Sequence, residues 1–158
     1  MSQFLGTHQN RLDAKGRVSV PAAFRAALRR NGEAVGIVLL PSHKRPCIEV
    51  WPAPAFEAMS ANLEGLALFS DSHDDMATAL YADAHALEAD KEGRVLLPEK
   101  LVAHAGLTDS VVFMGLGKMF QIWEPAAAER RSQEARESAR ARGLTLPAVA
   151  AGIAGAAA

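Results

Sequence analysis

The chain has 158 residues, 49% of them apolar, with 17 Lys and Arg against 18 Asp and Glu, a formal net charge of −1. This length and composition allow a real core in one ordinary domain or two small ones, and the near-zero net charge argues against a partner held by overall charge. The lone Cys47 excludes an internal disulfide framework and fits a reducing compartment; no apolar run approaches the roughly 18–20 residues of a membrane span and no basic start leads into one, so a soluble cytoplasmic protein without membrane contact is expected.

Residues 4–12 read as a strand leading into Asp13-Ala14-Lys15-Gly16. Gly16 can take positive φ at low cost and Asp13 can bond the backbone of its own turn, so this is a tight turn. Arg17-Val18-Ser19-Val20 alternates as a short strand, with the two valines on one face and Arg17 and Ser19 on the other. Pro21 suits the first position of a helix, where a missing N–H costs least. Residues 22–30 are good helix formers with an apolar stripe of Phe24, Ala27 and Leu28, and Arg25 and Arg29 lie one helical turn apart on another face. Asn31-Gly32 reads as a left-handed helix end. Residues 1–32 hold Arg11, Lys15, Arg17, Arg25, Arg29 and Arg30 against Asp13 alone, six cations less one anion, or +5. Binding answers to such a local field more than to the total, although a solvated helix face would carry the same residues.

Residues 35–40 form a buried-type strand, 41–46 a loop, 47–51 a returning strand and 52–62 a short second helix. Residues 64–80 read as an acidic linker without strong periodicity. The stretch 64–92 carries Glu64, Asp71, Asp74, Asp75, Asp83, Glu88, Asp90 and Glu92 against Lys91 alone.

The order then recurs. Asp90-Lys91-Glu92-Gly93 repeats the turn, residues 94–97 the strand, and Pro98 the helix start, with Leu101 at the offset of Phe24 and Ala105-Gly106 as the end. Asp, Gly, Arg, Val and Pro coincide between residues 13–21 and 90–98, 77 positions apart, which makes this an internal repeat. Returning strands fall at 110–114 and 119–123 around a Gly115-x-Gly117 turn, and Trp51 and Trp123 correspond as core or interface anchors. A charge-mixed helix, in which Glu129, Arg130, Arg131, Glu134, Arg136, Glu137 and Arg140 alternate, runs to Arg142. Residues 143–158 are Ala-rich and uncharged, an expected disordered tail. Each four-strand unit alone leaves sheet edges open, so the two halves are expected to interlock into one small pseudo-twofold barrel.

The pattern Asp-x-x-Gly-Arg-Val-x-apolar-Pro, followed by a short helix, resembles the swapped-hairpin unit of the AbrB and SpoVT family. Two tandem copies, an N-terminal Phe4-Leu5-Gly6 and a terminal helix after Ile122-Trp123 resemble the MraZ family of bacterial transcriptional regulators over residues 1–142. The resemblance implies a mainly β, α+β fold with AbrB/SpoVT-like domains at 5–54 and 82–126, a C-terminal helix at 127–142 and a tail at 143–158. It also implies double-stranded DNA as partner, specifically direct repeats in the promoter of the division and cell-wall gene cluster, a homo-oligomeric ring, association with the nucleoid, and no catalytic cofactor. The DNA-contacting arginine of the motif carries over to Arg17 and Arg94.

The candidate DNA-binding residues are thus Arg17, Lys15, Arg11, Arg25, Arg29, Arg30, Arg94 and Lys91. Asp13, Gly16, Pro21, Asp90, Gly93 and Pro98 are the structural frame of the two turns. The second copy has only Lys100 in its helix, so the first copy is expected to be the main phosphate-contacting surface. Arg94 either contacts DNA or holds its turn or a subunit interface through an acid.

Enzyme readings find little purchase. His8, His43, His73, His85 and His104 are scattered, and His43 and Cys47 sit in a proline loop without a second ligand pair, so neither a metal nor a small-molecule substrate is expected. Gly115-x-Gly117 lacks the Lys-Ser/Thr and following helix of a phosphate loop. The rival from another class is an oligomeric scaffold whose cations are interface partners and whose DNA affinity is incidental. An antitoxin of the AbrB type is disfavoured by the second motif copy.

Overall fold

The computed structural model describes residues 3–148. Its first half carries strands β1 (Thr7–Arg11) and β2 (Arg17–Ser19), helix α1 (Ala22–Ala27), and the short strands β3 (Arg29–Arg30) and β4 (Glu33–Ala34). Strands β5 (Ile37–Pro41) and β6 (Ile48–Pro52) and helix α2 (Ala53–Ser60) complete it. A 3-10 turn (Ala61–Gly65), helix α3 (Asp71–Ala77) and a π-type turn (Thr78–Ala82) connect the halves. The second half follows with β7 (His85–Leu87), β8 (Arg94–Leu96), α4 (Glu99–Ala105), β9 (Ser110–Gly115) and β10 (Phe120–Trp123), and α5 (Pro125–Ala141) comes last. The architecture is α+β, with every strand pairing among the described residues antiparallel and with mostly short helices. Among the described residues no helix is long and apolar enough to cross a membrane.

The two halves share one six-stranded sheet in the order β1-β9-β10-β6-β5-β7. The leading strand of each half pairs with the other half: β1 lies on β9, with Thr7 opposite Met114, and β7 lies on β5, with Ile37 opposite Leu87. Each hairpin, β5–β6 or β9–β10, would otherwise expose a row of unpaired N–H and C=O groups, and cross-pairing satisfies it. A second, two-stranded ribbon joins β2 to β8, with Val18 opposite Val95.

Alternation along that ribbon turns Val18, Val20, Val95 and Leu97 into the main core. Phe24 of α1 and Leu101 of α4, at equivalent offsets, are both 1% exposed there. The Phe24 ring stands 5.3 Å from Phe4, 6.3 Å from Phe113 and 4.8 Å from Phe120, in edge and tilted contacts that suit the ring quadrupoles. Leu40, Phe56 and Leu80 form one satellite core, and Cys47, Val112, Trp123 and Ala128 another at the start of α5. The two tryptophans bond alike, each indole N–H reaching the side chain two residues back: Trp51 to Glu49 Oε1 at 3.1 Å and Trp123 to Gln121 Oε1 at 2.8 Å. Both copies of the repeat lie within the compact unit that ends at Ala128. In the unit that begins at Glu129, α5 carries no buried residue, as its interleaved Glu and Arg predict.

Three expectations need correction. First, α1 ends at Ala27, and Asn31-Gly32 closes a hairpin in which Arg29 pairs with Ala34 and Arg30 with Glu33. Asn31 and Gly32 both have positive φ, 53° and 81°, which is the pair of left-handed residues that a tight hairpin turn demands. Arg29 and Arg30 therefore leave the helix, and Arg25 and Arg29 share no helical face. Second, residues 64–80 are not an aperiodic linker. Ser70 caps α3 by accepting the N–H of His73, with Asp71 and Asp74 in the first turn, a start signal visible in sequence. Third, Pro21 and Pro98 stand one place before the first helical residue, at the N-cap. Of the tail, residues 143–148 adopt neither helix nor strand, and 149–158 lie outside the described residues.

Candidate nucleic-acid interface

The two repeated turns have one geometry. In the first, Asp13 Oδ1 accepts the backbone N–H of Lys15 at 2.9 Å and of Arg17 at 2.8 Å, while Oδ2 accepts Arg17 Nε at 2.9 Å. In the second, Asp90 Oδ1 accepts the N–H of Glu92 and of Arg94 at 2.9 Å each, and Oδ2 accepts Arg94 Nε at 3.0 Å. The glycine N–H closes each turn on the aspartate carbonyl, Gly16 to Asp13 at 3.0 Å and Gly93 to Asp90 at 2.9 Å. Gly16 and Gly93 have φ of 87° and 78°, conformations that an L side chain strains. The repeated Asp, Gly and Arg are thus one device: the carboxylate organises the turn and aims the guanidinium.

The N–H of Arg17 is the largest influence holding the Asp13 carboxyl below its ordinary value of 3.8, and the Arg17 guanidinium and the Lys15 N–H act in the same sense. Arg94 and Glu92 act likewise on Asp90. Both carboxylates therefore stay ionised, and both turns stay closed, at any pH above the ordinary carboxylate range.

The ribbon brings the two turns together. Arg17 lies opposite Leu96 and Ser19 opposite Arg94, so the arginines occupy diagonal positions on the face turned away from Val18 and Val95. Diagonal neighbours in such a pair are roughly 7–8 Å apart. Their side chains are 37% and 36% exposed. Crossed bonds hold the ribbon at both ends, Val20 N–H to the Gly93 carbonyl at 2.9 Å and Leu97 N–H to the Gly16 carbonyl at 2.8 Å. Asn10 fixes β1 to it by donating from Nδ2 to the Ser19 carbonyl at 2.6 Å.

Among the other candidate cations, Lys15 and Lys91 are exposed on the turns and Arg11 at the end of β1. Arg30 is exposed on the β3–β4 hairpin, and Arg29 there donates to the Gly32 carbonyl at 3.0 Å. Arg25 donates from Nη1 to the Glu92 carbonyl, 67 residues away, at 3.0 Å. The sequence treats Arg17 and Arg94 unequally, yet each is tied to its own aspartate in the same way. Glu92 is the point of difference, an acid of the kind expected to hold Arg94: its carboxylate lies 3.5 Å from Arg94 Nη2, whereas the equivalent position in the first turn is Lys15. Among the described residues no cluster of three or more His, Cys, Asp or Glu could hold a metal ion.

Known proteins match the chain along nearly its whole length. The family model described as "MraZ protein, putative antitoxin-like" matches residues 3–78 and again 80–145, each match containing one copy of the turn. A protein named transcriptional regulator MraZ from Gluconacetobacter diazotrophicus is 66% identical over 94% of both chains. Its namesake from Gluconobacter oxydans is 56% identical over 89% of this chain and 87% of its own. Another, from Pelagibacter ubique, is 40% identical over 90% and 92%.

Proposed function

The chain belongs to the MraZ family, and from that membership we propose that it is a sequence-specific DNA-binding regulator of transcription. It binds direct repeats in the promoter of the division and cell-wall gene cluster, as a homo-oligomeric ring, in the cytoplasm on the nucleoid. It is a regulator and not an enzyme, without cofactor or small-molecule substrate. The observation that carries this reading is the β2–β8 ribbon, which displays Arg17 and Arg94 side by side on one face, each aimed by an ionised aspartate.

Arginine suits the task because its planar fork pairs bidentately with phosphate or with O6 and N7 of guanine in the major groove. A two-stranded ribbon fits that groove. In both arginines Nε is the atom bonded to the aspartate, so the terminal nitrogens of Arg17 can reach a base or a phosphate, whereas Arg94 Nη2 is also drawn to Glu92 at 3.5 Å and must exchange that tie, or use Nη1, to do so. Lys15 and Lys91 on the turns that lead into the ribbon, with Arg11, Arg29 and Arg30, serve as phosphate contacts, which set register without reading sequence. Several such ribbons on one assembly raise the effective concentration wherever target sites repeat along the DNA, which offsets the near-neutral total charge.

Self-assembly has candidate surfaces. Leu68 and Phe69 are exposed between the 3-10 turn and α3, Phe69 at 85%, and Leu5 and Leu116 are exposed at the β9–β10 turn. Two different apolar clusters on one chain are what a head-to-tail ring requires.

A gel shift with the DNA upstream of the chain's own gene, against a scrambled duplex of equal length, tests the reading. Preference for the native duplex is expected, with affinity falling on the order of a thousandfold between about 50 and 200 mM salt for roughly six phosphate contacts. Equal affinity for both duplexes would assign the chain to the scaffold reading instead.

A further inference from the structure

The two turns share their internal bonds, but among the described residues only the second is braced by a side chain from a helix. Arg25 leaves α1, crosses to the second turn and donates from Nη1 to the Glu92 carbonyl at 3.0 Å. Its stem and guanidinium cover Gly93 so closely that a Cβ there would overlap Arg25 Cδ and Nη1. Gly93 is buried as a result, whereas Gly16 is half-buried and meets only the Leu97 carbonyl at 3.4 Å and Leu96 Cδ1 at 3.6 Å. The residue equivalent to Arg25, 77 positions on, is Val102, which packs against the core and has no donor to offer. Glu92 adds a second tie through its carboxylate to Arg94 Nη2, at 3.5 Å, where the first turn has Lys15.

We propose that Arg25 is a positioning residue, one that locks the second arginine turn through Glu92 and Gly93 and leaves the first turn adaptable. Resting on the DNA-binding reading above, it gives that site two unlike halves. Arg94 is preorganised, so little ordering is required of it on binding. Arg17 is aimed by Asp13 in the same way, but its turn, which carries Lys15 and has no brace from a helix, can shift to fit the duplex. Arg25 then serves DNA binding through another residue and not by touching phosphate, although the charge pattern of the sequence groups it with the phosphate contacts.

The test is the full-length Arg25→Met variant, which keeps an apolar stem over Gly93 and removes the fork. Amide hydrogen exchange of the free protein reads the turns directly, because Lys15, Gly16 and Arg17 match Glu92, Gly93 and Arg94 bond for bond. Exchange at Glu92, Gly93 and Arg94 is expected to speed up about fivefold, the worth of one lost hydrogen bond of about 1 kcal/mol, with Lys15, Gly16 and Arg17 unchanged. Affinity for the upstream duplex is expected to fall about threefold to tenfold with the salt slope intact. Unchanged exchange at the second turn would overturn the proposal. So would a salt slope smaller by about one, the signature of a lost phosphate contact. Arg25→Lys keeps a single charged donor and is expected to give intermediate exchange; it carries the comparison if the Met variant fails to fold, and exchange as fast as in a turn with no donor would count against the brace. If the parent chain binds no DNA, the DNA-binding reading fails while the exchange measurement still decides the role of Arg25.

Discussion

Asp13 and Asp90 each do two jobs with one carboxylate. Oδ1 gathers two backbone N–H groups and Oδ2 holds the guanidinium of the arginine four residues on. An exposed ion pair alone would add little to stability. Its use here is orientation: a long side chain that would sample many rotamers is held over the ribbon face before any partner arrives. Arg17→Ala is therefore expected to leave the fold and the native mass unchanged and to weaken promoter binding by about 1–3 kcal/mol, read by titration of the upstream duplex alongside size-exclusion. Loss of the assembly in that variant would make Arg17 structural.

At the scale of elements, the repeat specifies a turn, a strand and a helix that buries one large side chain. Phe24 and Leu101 fill equivalent places, but Phe24 alone meets four other rings, those of Phe4, His8, Phe113 and Phe120. Phe24→Ala is expected to destabilise the chain by about 3–5 kcal/mol, and Leu101→Ala by about 2–5 kcal/mol, in denaturant unfolding, with the larger loss at Phe24. The β3–β4 hairpin shows how local signals compete. Asn-Gly serves either a helix end or a two-residue hairpin, and the good helix formers before it favour the first reading. The hairpin prevails because residues 29–30 find a ladder in residues 33–34, while Leu28 is already anchored in the core and accepts the N–H of Val35 at 2.8 Å.

At the scale of the molecule, charge is segregated and apolar surface is left uncovered. The ribbon carries Arg17 and Arg94 on one face, and in the proposed reading the excess of cations in the first 32 residues gives a near-neutral chain a local positive field there. The most exposed aromatic side chain, Phe69, sits at φ 69°, a strained conformation for a bulky residue. In the proposed assembly this exposed ring is a candidate contact with a second copy. Phe69→Ser is expected to lower the native mass and to reduce binding to tandem repeats far more than to a single repeat, since only the former depends on linked sites. An unchanged mass would remove Phe69 from the assembly surface.

The repeat, the two Asp-Gly-Arg turns, the valine alternation that buries one ribbon face, and the equivalence of Phe24 with Leu101 are all legible in the order of residues. These depend on local rules: positive φ at glycine, side-chain bonding to a turn, a period of two along a strand. That order does not reveal α3, whose start is marked by Ser70 but whose apolar residues are too few to show a period, and it places Arg29 and Arg30 on a helix. Packing in three dimensions is what makes each half lend its leading strand to the other, brings β2 to β8 so that Arg17 and Arg94 share one face, and lets Arg25 reach a turn 67 residues away. Such contacts are set by which sheet edges must be covered and by which side chains then fall within reach, and neither is written in the spacing of residues along the chain.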